Sequence, residues 1–172
     1  MKLTNTVLSL LIAGSFLGVA SPAFAATCTA TQGTAAIAAD VAGNSCTHNT
    51  NFSGSTALCG GVSFSGTGTD AWIVNIAAGQ NFTFSVTSSA FIPDIALVST
   101  ACADNSPCVN GTDYIGGNTP PSTATSAAVT GQAAGTYWLF ITDSSAVGAQ
   151  CGAYTLTLAG TLPVKLQDFS VQ

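Results

Sequence analysis

Two neighbouring segments of this chain alternate apolar and polar residues with a period of two. They are residues 69–76 (TDAWIVNI) and 81–87 (NFTFSVT). This alternation is typical of β-strands that bury one face and leave the other in water. Residues 78–80 between them suit a short hairpin loop, in which Gly79 is free to take a positive φ. Because further strand-like segments follow at regular spacing, the sequence predicts an all-β fold, a jelly-roll-like antiparallel β-sandwich.

Segments rich in β-branched and aromatic residues continue along the chain, separated by turns that contain Gly, Pro and Asn. The segments predicted as strands are 62–65, 71–76, 81–87, 94–99, 113–116, 126–130, 136–142 and 153–159, with a weaker edge strand at 36–41. The segment 136–142 is apolar on both faces, which indicates a strand at the centre of the sandwich or one covered on its outer face. The alternative is that Trp138 or Phe140 is exposed and forms a ligand platform.

The charge of the chain restricts its partners. Seven acidic residues, all aspartate, oppose two cationic ones, Lys2 and Lys165, and the formal net charge is −5. Such a surface repels phosphate backbones, which argues against nucleic-acid binding, and it disfavours anionic membranes. Divalent cations remain candidate partners, because Asp and Asn oxygens suit hard metals. A hydrophobic fraction of 47% indicates a folded chain rather than a disordered one.

Residues 1–25 have the pattern of an export signal. Lys2 precedes an apolar run at 7–19, and Ala23-Phe24-Ala25 fits the small-x-small cleavage rule. A retained N-terminal anchor is the alternative, although the apolar run is short for a membrane span. We therefore expect a protein of the periplasm or the cell exterior, with no membrane span in the mature chain.

The rest of the chain is predicted to hold one domain. Residues 26–61 would form a disulfide-pinned N-terminal extension, 62–161 the sandwich, and 162–172 a C-terminal tail. The tail looks like the Leu-Pro-Val-x-Leu-x-x-Phe ends of some exported bacterial proteins, but it lacks the Thr-Gly of a sortase signal. It is interpreted either as one more edge strand or as a sorting signal.

An even number of cysteines in an exported chain predicts disulfides, here three. The cysteines are Cys28, Cys46, Cys59, Cys102, Cys108 and Cys151. Cys102 and Cys108 bracket a short loop and are predicted to pair. The other four are expected to tie the N-terminal segment to itself and to the last hairpin, with their pairing left open. A zinc site is disfavoured, because there is no Cys-x-x-Cys pair and His48 is the single histidine.

One loop carries a candidate calcium site. Asp104, Asn105, Asn110 and Asp113 lie close together in sequence beside the predicted Cys102–Cys108 disulfide. Their oxygens, with backbone carbonyls, suit a hard cation. The other interpretation is that these residues are ordinary turn formers. No other cofactor is predicted.

The sequence does not predict an enzyme, and no catalytic residue is assigned. His48, the single candidate for the base of a hydrolytic triad, lies in a polar, loop-like context. An even cysteine count leaves no free thiol for catalysis. Glycoside hydrolysis needs paired carboxylates, and here the aspartates lie mainly at turns and strand ends.

Five short motifs occur in an order that resembles the bacterial pre-peptidase C-terminal domain. They are residues 70–74 (DAWIV), 77–80 (AAGQ), 94–97 (DIAL), 134–137 (AGTY) and 152–156 (GAYTL). The resemblance implies a small exported β-sandwich that acts as an appendage, and some relatives bind calcium or extracellular polymers. The middle loop departs from the pattern, since of the acidic pair often seen there it keeps only Asp113.

These features together predict a non-catalytic binding or accessory module outside the cytoplasm. Its ligand would be a polymer, a glycan or a protein, reached through faces and loops rich in Ser, Thr and Asn. The alternative is a structural or surface protein that self-associates through an edge strand or the tail at 162–172. A small hydrolase that uses aspartates is the third hypothesis.

Overall fold

The computed structural model describes residues 28, 30–47, 59, 68–103, 106–112, 119–144 and 150–161. These ranges form nine β-strands arranged in two sheets. The strands are β1 (Gly33–Ala35), β2 (Ala39–Asn44), β3 (Asp70–Ile76), β4 (Phe82–Ser88), β5 (Pro93–Val98), β6 (Cys108–Thr112), β7 (Ser122–Thr125), β8 (Gly135–Asp143) and β9 (Ala153–Gly160). Within these ranges no helix is long and apolar enough to cross a membrane.

The strand order confirms the predicted antiparallel β-sandwich. One sheet has the order β1-β3-β8-β5-β6 and the other β2-β9-β4-β7. All neighbouring strands are antiparallel except β1 and β3, which are parallel. Successive strands alternate between the two sheets, apart from the hairpin of β5 and β6, as in a double-sheet jelly roll.

The turn between β3 and β4 is not the predicted hairpin. β3 pairs with β1 and β8, whereas β4 pairs with β7 and β9 in the opposite sheet. The connection therefore arches from one layer to the other. Gly79 takes the expected positive φ of 71°, and the Ala77 N–H donates to Gln80 Oε1 at 2.9 Å. A hairpin and an arch place the same alternating residues in the core, so the local pattern does not distinguish them.

The core lies between the two sheets and uses the alternating apolar residues of the strands. The largest fully buried side chains are Phe84, Phe91, Phe140, Ile95, Leu97, Leu139, Ile141, Leu156, Leu158 and Val74. β8 is buried on both faces, since the adjacent residues Leu139 and Phe140 both have no exposed surface. Phe140 packs on the outer side of the sheet with Ala71 and Val98, so it is a packing residue, whereas Trp138 is half-buried.

The sandwich includes part of the predicted N-terminal extension. β1 and β2 lie within residues 26–61, yet each belongs to a sheet, and Ala35 and Ile37 are buried in the core. The predicted domain boundary at residue 62 is therefore wrong. The segment is poor in large apolar residues, and its strands are stabilised by pairing with β3 and β9 rather than by a strong pattern of their own.

One further strand prediction, at 126–130, differs from the structure. β7 ends before the predicted segment 126–130, where Ser126 Oγ accepts from the Phe84 N–H at 3.0 Å and a single bridge joins Val129 to Phe82. Buried Val129 explains why this segment has a strand-like pattern. The structure also has a strand that the sequence did not predict, β6 at Cys108–Thr112. The predicted strands at 62–65 and 113–116 lie outside the described residues.

Candidate binding surface

The structure describes one member of the predicted calcium site. Asn110 lies on β6, and its Nδ2 donates to the Ala127 carbonyl at 3.1 Å. Asp104, Asn105 and Asp113 lie outside the described residues, as do the export signal, His48 and the tail at 162–172. Among the described residues no group of three or more His, Cys, Asp or Glu side chains is arranged to hold a metal. The calcium site stays a prediction.

All six cysteines are paired, which confirms the expectation of three disulfides. The bridges are Cys28–Cys102, Cys46–Cys151 and Cys59–Cys108. The predicted Cys102–Cys108 pair is wrong. Cys108 lies in the ladder opposite Val98, whereas Cys102 lies further along the loop, where its carbonyl accepts from the Cys28 N–H at 2.9 Å. Three disulfides fit an extracellular, oxidising location.

A buried hydrogen-bond network crosses the sandwich from one sheet to the other. The Trp72 indole N–H donates to the Tyr154 hydroxyl at 2.7 Å. That hydroxyl donates to Asp70 Oδ2, also at 2.7 Å. Gln32 Nε2 donates to the same carboxylate oxygen at 2.6 Å and to the Asn44 carbonyl at 3.1 Å. The network thus joins β3 and β9 to the segment before β1 and to the end of β2.

The network keeps the Tyr154 hydroxyl protonated. Burial, and then the negative charge of Asp70, raise the pKa of Tyr154 well above its ordinary value. The ring of Phe91 meets the tyrosine ring edge-on at a centroid distance of 6.1 Å. Gly43, its ladder partner on β2, leaves room for the ring, since a Cβ there would overlap the phenol. The Tyr154 hydroxyl therefore acts as a fixed hydrogen-bond donor to Asp70 in the core.

A second buried carboxylate also has a structural position. Asp143, at the end of β8, accepts from the Ile92 N–H at 3.3 Å through Oδ1 and from the Gln150 N–H at 2.8 Å through Oδ2. It ties two loops to the sheet at one end of the sandwich. Asp70 accepts from the side chains of Gln32 and Tyr154.

The outer face of the four-stranded sheet carries ordered rows of hydroxyl groups. We define this hydroxyl face by the side chains that point away from the core: Thr83, Ser85, Thr87, Thr123, Thr125, Thr155 and Thr157. The ladder register places Ser85, Thr125 and Thr157 in one row across the sheet. Thr87, Thr123 and Thr155 form the next row. The rows are about 7 Å apart and neighbouring strands about 4.8 Å apart in a regular sheet.

Two shallow depressions, of ≈ 370 and ≈ 390 Å³, lie on this sheet. The first is lined by residues 38–40 and 157–160, and the second by Ala42, Gly43, Thr87, Ser89, Pro121, Ala153, Tyr154 and Thr155. Both have β9 as their floor, where the outward residues Ala153 and Ala159 are small and exposed. Each depression therefore contains one outward hydroxyl of β9, Thr157 in the first and Thr155 in the second.

The hydroxyl face is almost without charge. Asp40, which pairs with Thr157, is the carboxylate at its β2 edge. No lysine or arginine occurs in the part of the chain that the structure describes. The face therefore offers hydrogen bonds rather than ionic contacts. Sequence reasoning indicated faces rich in Ser, Thr and Asn, but the rows come from the pairing of three strands that are distant in sequence.

Similarity to known proteins is found among solved structures. No family model matches the chain, and no curated protein does. Among solved structures, the protein is similar to the pre-peptidase C-terminal domain of a collagenase from Bacillus anthracis, with a TM-score of 0.45 and 15% sequence identity. The match covers 75% of this chain and 96% of that domain. The five sequence motifs resemble the family that this domain's name gives.

Proposed function

We propose that this protein is a non-catalytic, exported accessory module that binds a neutral, hydroxyl-rich polymer, a glycan, through its hydroxyl face. The observation that carries the proposal is the pair of hydroxyl rows on the outer face of the four-stranded sheet. Thr and Ser hydroxyls both donate and accept hydrogen bonds, as sugar hydroxyls do. An open surface with shallow depressions suits a chain that extends beyond the protein better than it suits a small molecule, because small molecules favour an enclosed pocket.

The charge distribution favours a neutral ligand. An anionic polymer would need cationic side chains, and the described residues contain no lysine or arginine. A cationic polymer would find Asp40 on this face but no cluster of carboxylates around it. A ligand recognised by hydrogen bonds alone fits both observations.

The roles of the buried ionisable groups support a non-catalytic module. Asp70 and Tyr154 hydrogen-bond each other in the core, and Asp143 holds two loop amides. None of these three lies on the hydroxyl face. A general acid or base must reach the bond that it acts on, which a side chain fixed in the core does not do.

The proposal is tested by co-sedimentation of the purified protein with insoluble neutral glycans such as cellulose, chitin and β-1,3-glucan. We expect saturable binding to at least one of them. Replacing Thr87 and Thr155 with valine keeps their shape and removes two adjacent hydroxyls. The double variant should bind about fivefold more weakly for each hydroxyl that contacts the glycan.

The matched control is Thr130→Val, an exposed threonine beyond β7 that is not part of the hydroxyl face. It should bind as the wild type does. Absence of binding to all three glycans, or equal binding by the double variant and the wild type, would contradict the proposal. A concentration-dependent mass in solution would instead favour the self-associating alternative.

A further inference from the structure

The two tryptophans of the chain have opposite environments although their strands are neighbours. Trp72 on β3 points into the core, and its indole N–H donates to Tyr154. Trp138 on β8 points to the outer face of the five-stranded sheet and is half-buried. Its indole N–H has no acceptor among the described residues and is open to solvent. Water satisfies this donor in the free protein, and a ligand with hydroxyl groups can take the place of that water.

The surroundings of Trp138 are defined by the ladder of β3 and β8. Ile73 lies directly opposite Trp138, and the next outward pair along the strands is Asn75 and Thr136. The Thr136 hydroxyl donates to Asn75 Oδ1 at 3.1 Å, and both residues are exposed. This leaves the Asn75 amide nitrogen directed to solvent as a donor. We call these four residues the Trp138 patch.

The inner edge of the patch is rigid. Trp138 packs against the buried cluster of Ala71, Val98 and Phe140. Its backbone is held between β3 and β5, where it pairs with Ile73 and Val98. Little side-chain freedom is therefore lost when a ligand contacts the exposed part of the indole. Phe140, two residues along on the same face, is fully buried, and Cys28 and Cys102 also pack against this cluster.

We propose that the Trp138 patch is a sugar-binding subsite for one pyranose ring of a neutral β-linked glycan. The exposed part of the indole would stack on the C–H face of the ring, while its N–H and the Asn75 amide donate to ring hydroxyls. A charged ligand finds no ionic partner here, because none of the four residues is ionisable. A lipid or an apolar peptide would need a broad apolar surface, whereas Asn75 and Thr136 border this one.

This site goes beyond the function proposed above, because it lies on the other sheet. The hydroxyl face and the Trp138 patch are on opposite outer surfaces of the sandwich. With both occupied, one molecule would hold two glycan segments. Substitutions in one site should therefore leave glycan binding at the other site unchanged.

The test is titration calorimetry with the soluble hexasaccharides of β-1,4-linked glucose and β-1,4-linked N-acetylglucosamine. We expect binding of at least one of them, together with a blue shift of tryptophan emission as Trp138 loses water. Trp138→Ala should weaken binding about tenfold or more. Asn75→Ala, which leaves the packing intact, should weaken it severalfold. Thr130→Val, an exposed residue that belongs to neither surface, should bind the hexasaccharides as the wild type does.

Trp138→Phe serves as the variant that keeps the ring but lacks the N–H. It should retain part of the affinity, and its remaining tryptophan, Trp72, should show no shift in emission. The inference would be overturned if neither hexasaccharide binds the wild type. It would also be overturned if the alanine variants of Trp138 and Asn75, with wild-type melting temperatures, bind as tightly as the wild type. The Thr87→Val, Thr155→Val variant could lose hexasaccharide binding while Trp138→Ala and Asn75→Ala keep it. That result would place the sugar on the hydroxyl face and overturn the inference.

Discussion

The hydroxyl of Tyr154 is the group whose removal should test the buried network most directly. Tyr154→Phe removes the hydrogen bond to Asp70 and the acceptor of the Trp72 N–H, both 2.7 Å long. A hydrogen bond to a charged group contributes about 1.5–3 kcal/mol, and an unsatisfied buried donor costs about 1–3 kcal/mol. We therefore expect the free energy of unfolding to fall by roughly 3 kcal/mol at pH 7, allowing for partial relaxation.

The same hydroxyl should make stability depend on alkaline pH. Tyr154 has a raised pKa in the folded protein, so above pH 10 the unfolded chain releases a proton that the folded chain retains. Its stabilising contribution is complete below the unfolded pKa of about 10 and decreases as pH rises above it. Between pH 9 and pH 11 the wild type should lose about 1.4 kcal/mol through this group. The phenylalanine variant should lack this part of the slope.

The assay is urea unfolding followed by tryptophan fluorescence at pH 7, 9, 10 and 11, with the disulfides intact. Tyr137→Phe is the matched control at pH 7, because the Tyr137 hydroxyl donates to the neutral Ala133 carbonyl at 2.9 Å. Its loss should cost about 1 kcal/mol. A loss for Tyr154→Phe no larger than for the control would refute the network argument. An equal alkaline slope in the wild type and in Tyr154→Phe would refute the assignment of the titration.

Three further predictions concern packing, pairing and metal. Gly43→Ala should lower the free energy of unfolding by about 1–3 kcal/mol, because the added methyl group overpacks against the Tyr154 ring. The control is Gly135→Ala, where the nearest side-chain atom is 3.7 Å from the added Cβ. It should have little effect on thermal unfolding. Non-reducing peptide mapping by mass spectrometry should find Cys28 linked to Cys102; a bridge within residues 102–108 would contradict the fold. Calcium at 100 times its Kd should raise the free energy of unfolding by about 2.7 kcal/mol over a chelator-treated sample; a melting shift below about a degree would argue against the predicted site.

The sequence by itself determined the strands and their buried faces. Period-two alternation locates β3 and β4, and segments rich in β-branched and aromatic residues locate β5, β8 and β9, all to within one or two residues. The two-sided apolar pattern of β8 predicts its central place. These features follow from local rules, because in a strand the position of a residue decides which face it occupies. Net charge and cysteine number likewise need no coordinates. They indicated an oxidising location and a surface unsuited to nucleic acid.

The tertiary structure alone decided which strands and which cysteines are partners. The β3–β4 turn is an arch because β3 and β4 pair with strands of different sheets. Cys102 bonds to Cys28 because the loop between β5 and β6 extends beyond the ladder of those two strands. The hydroxyl rows and the Tyr154 network depend on the same long-range pairing, which joins residues up to 84 positions apart. Pairing between distant strands is set by how all the apolar faces pack together. A local pattern carries no record of it.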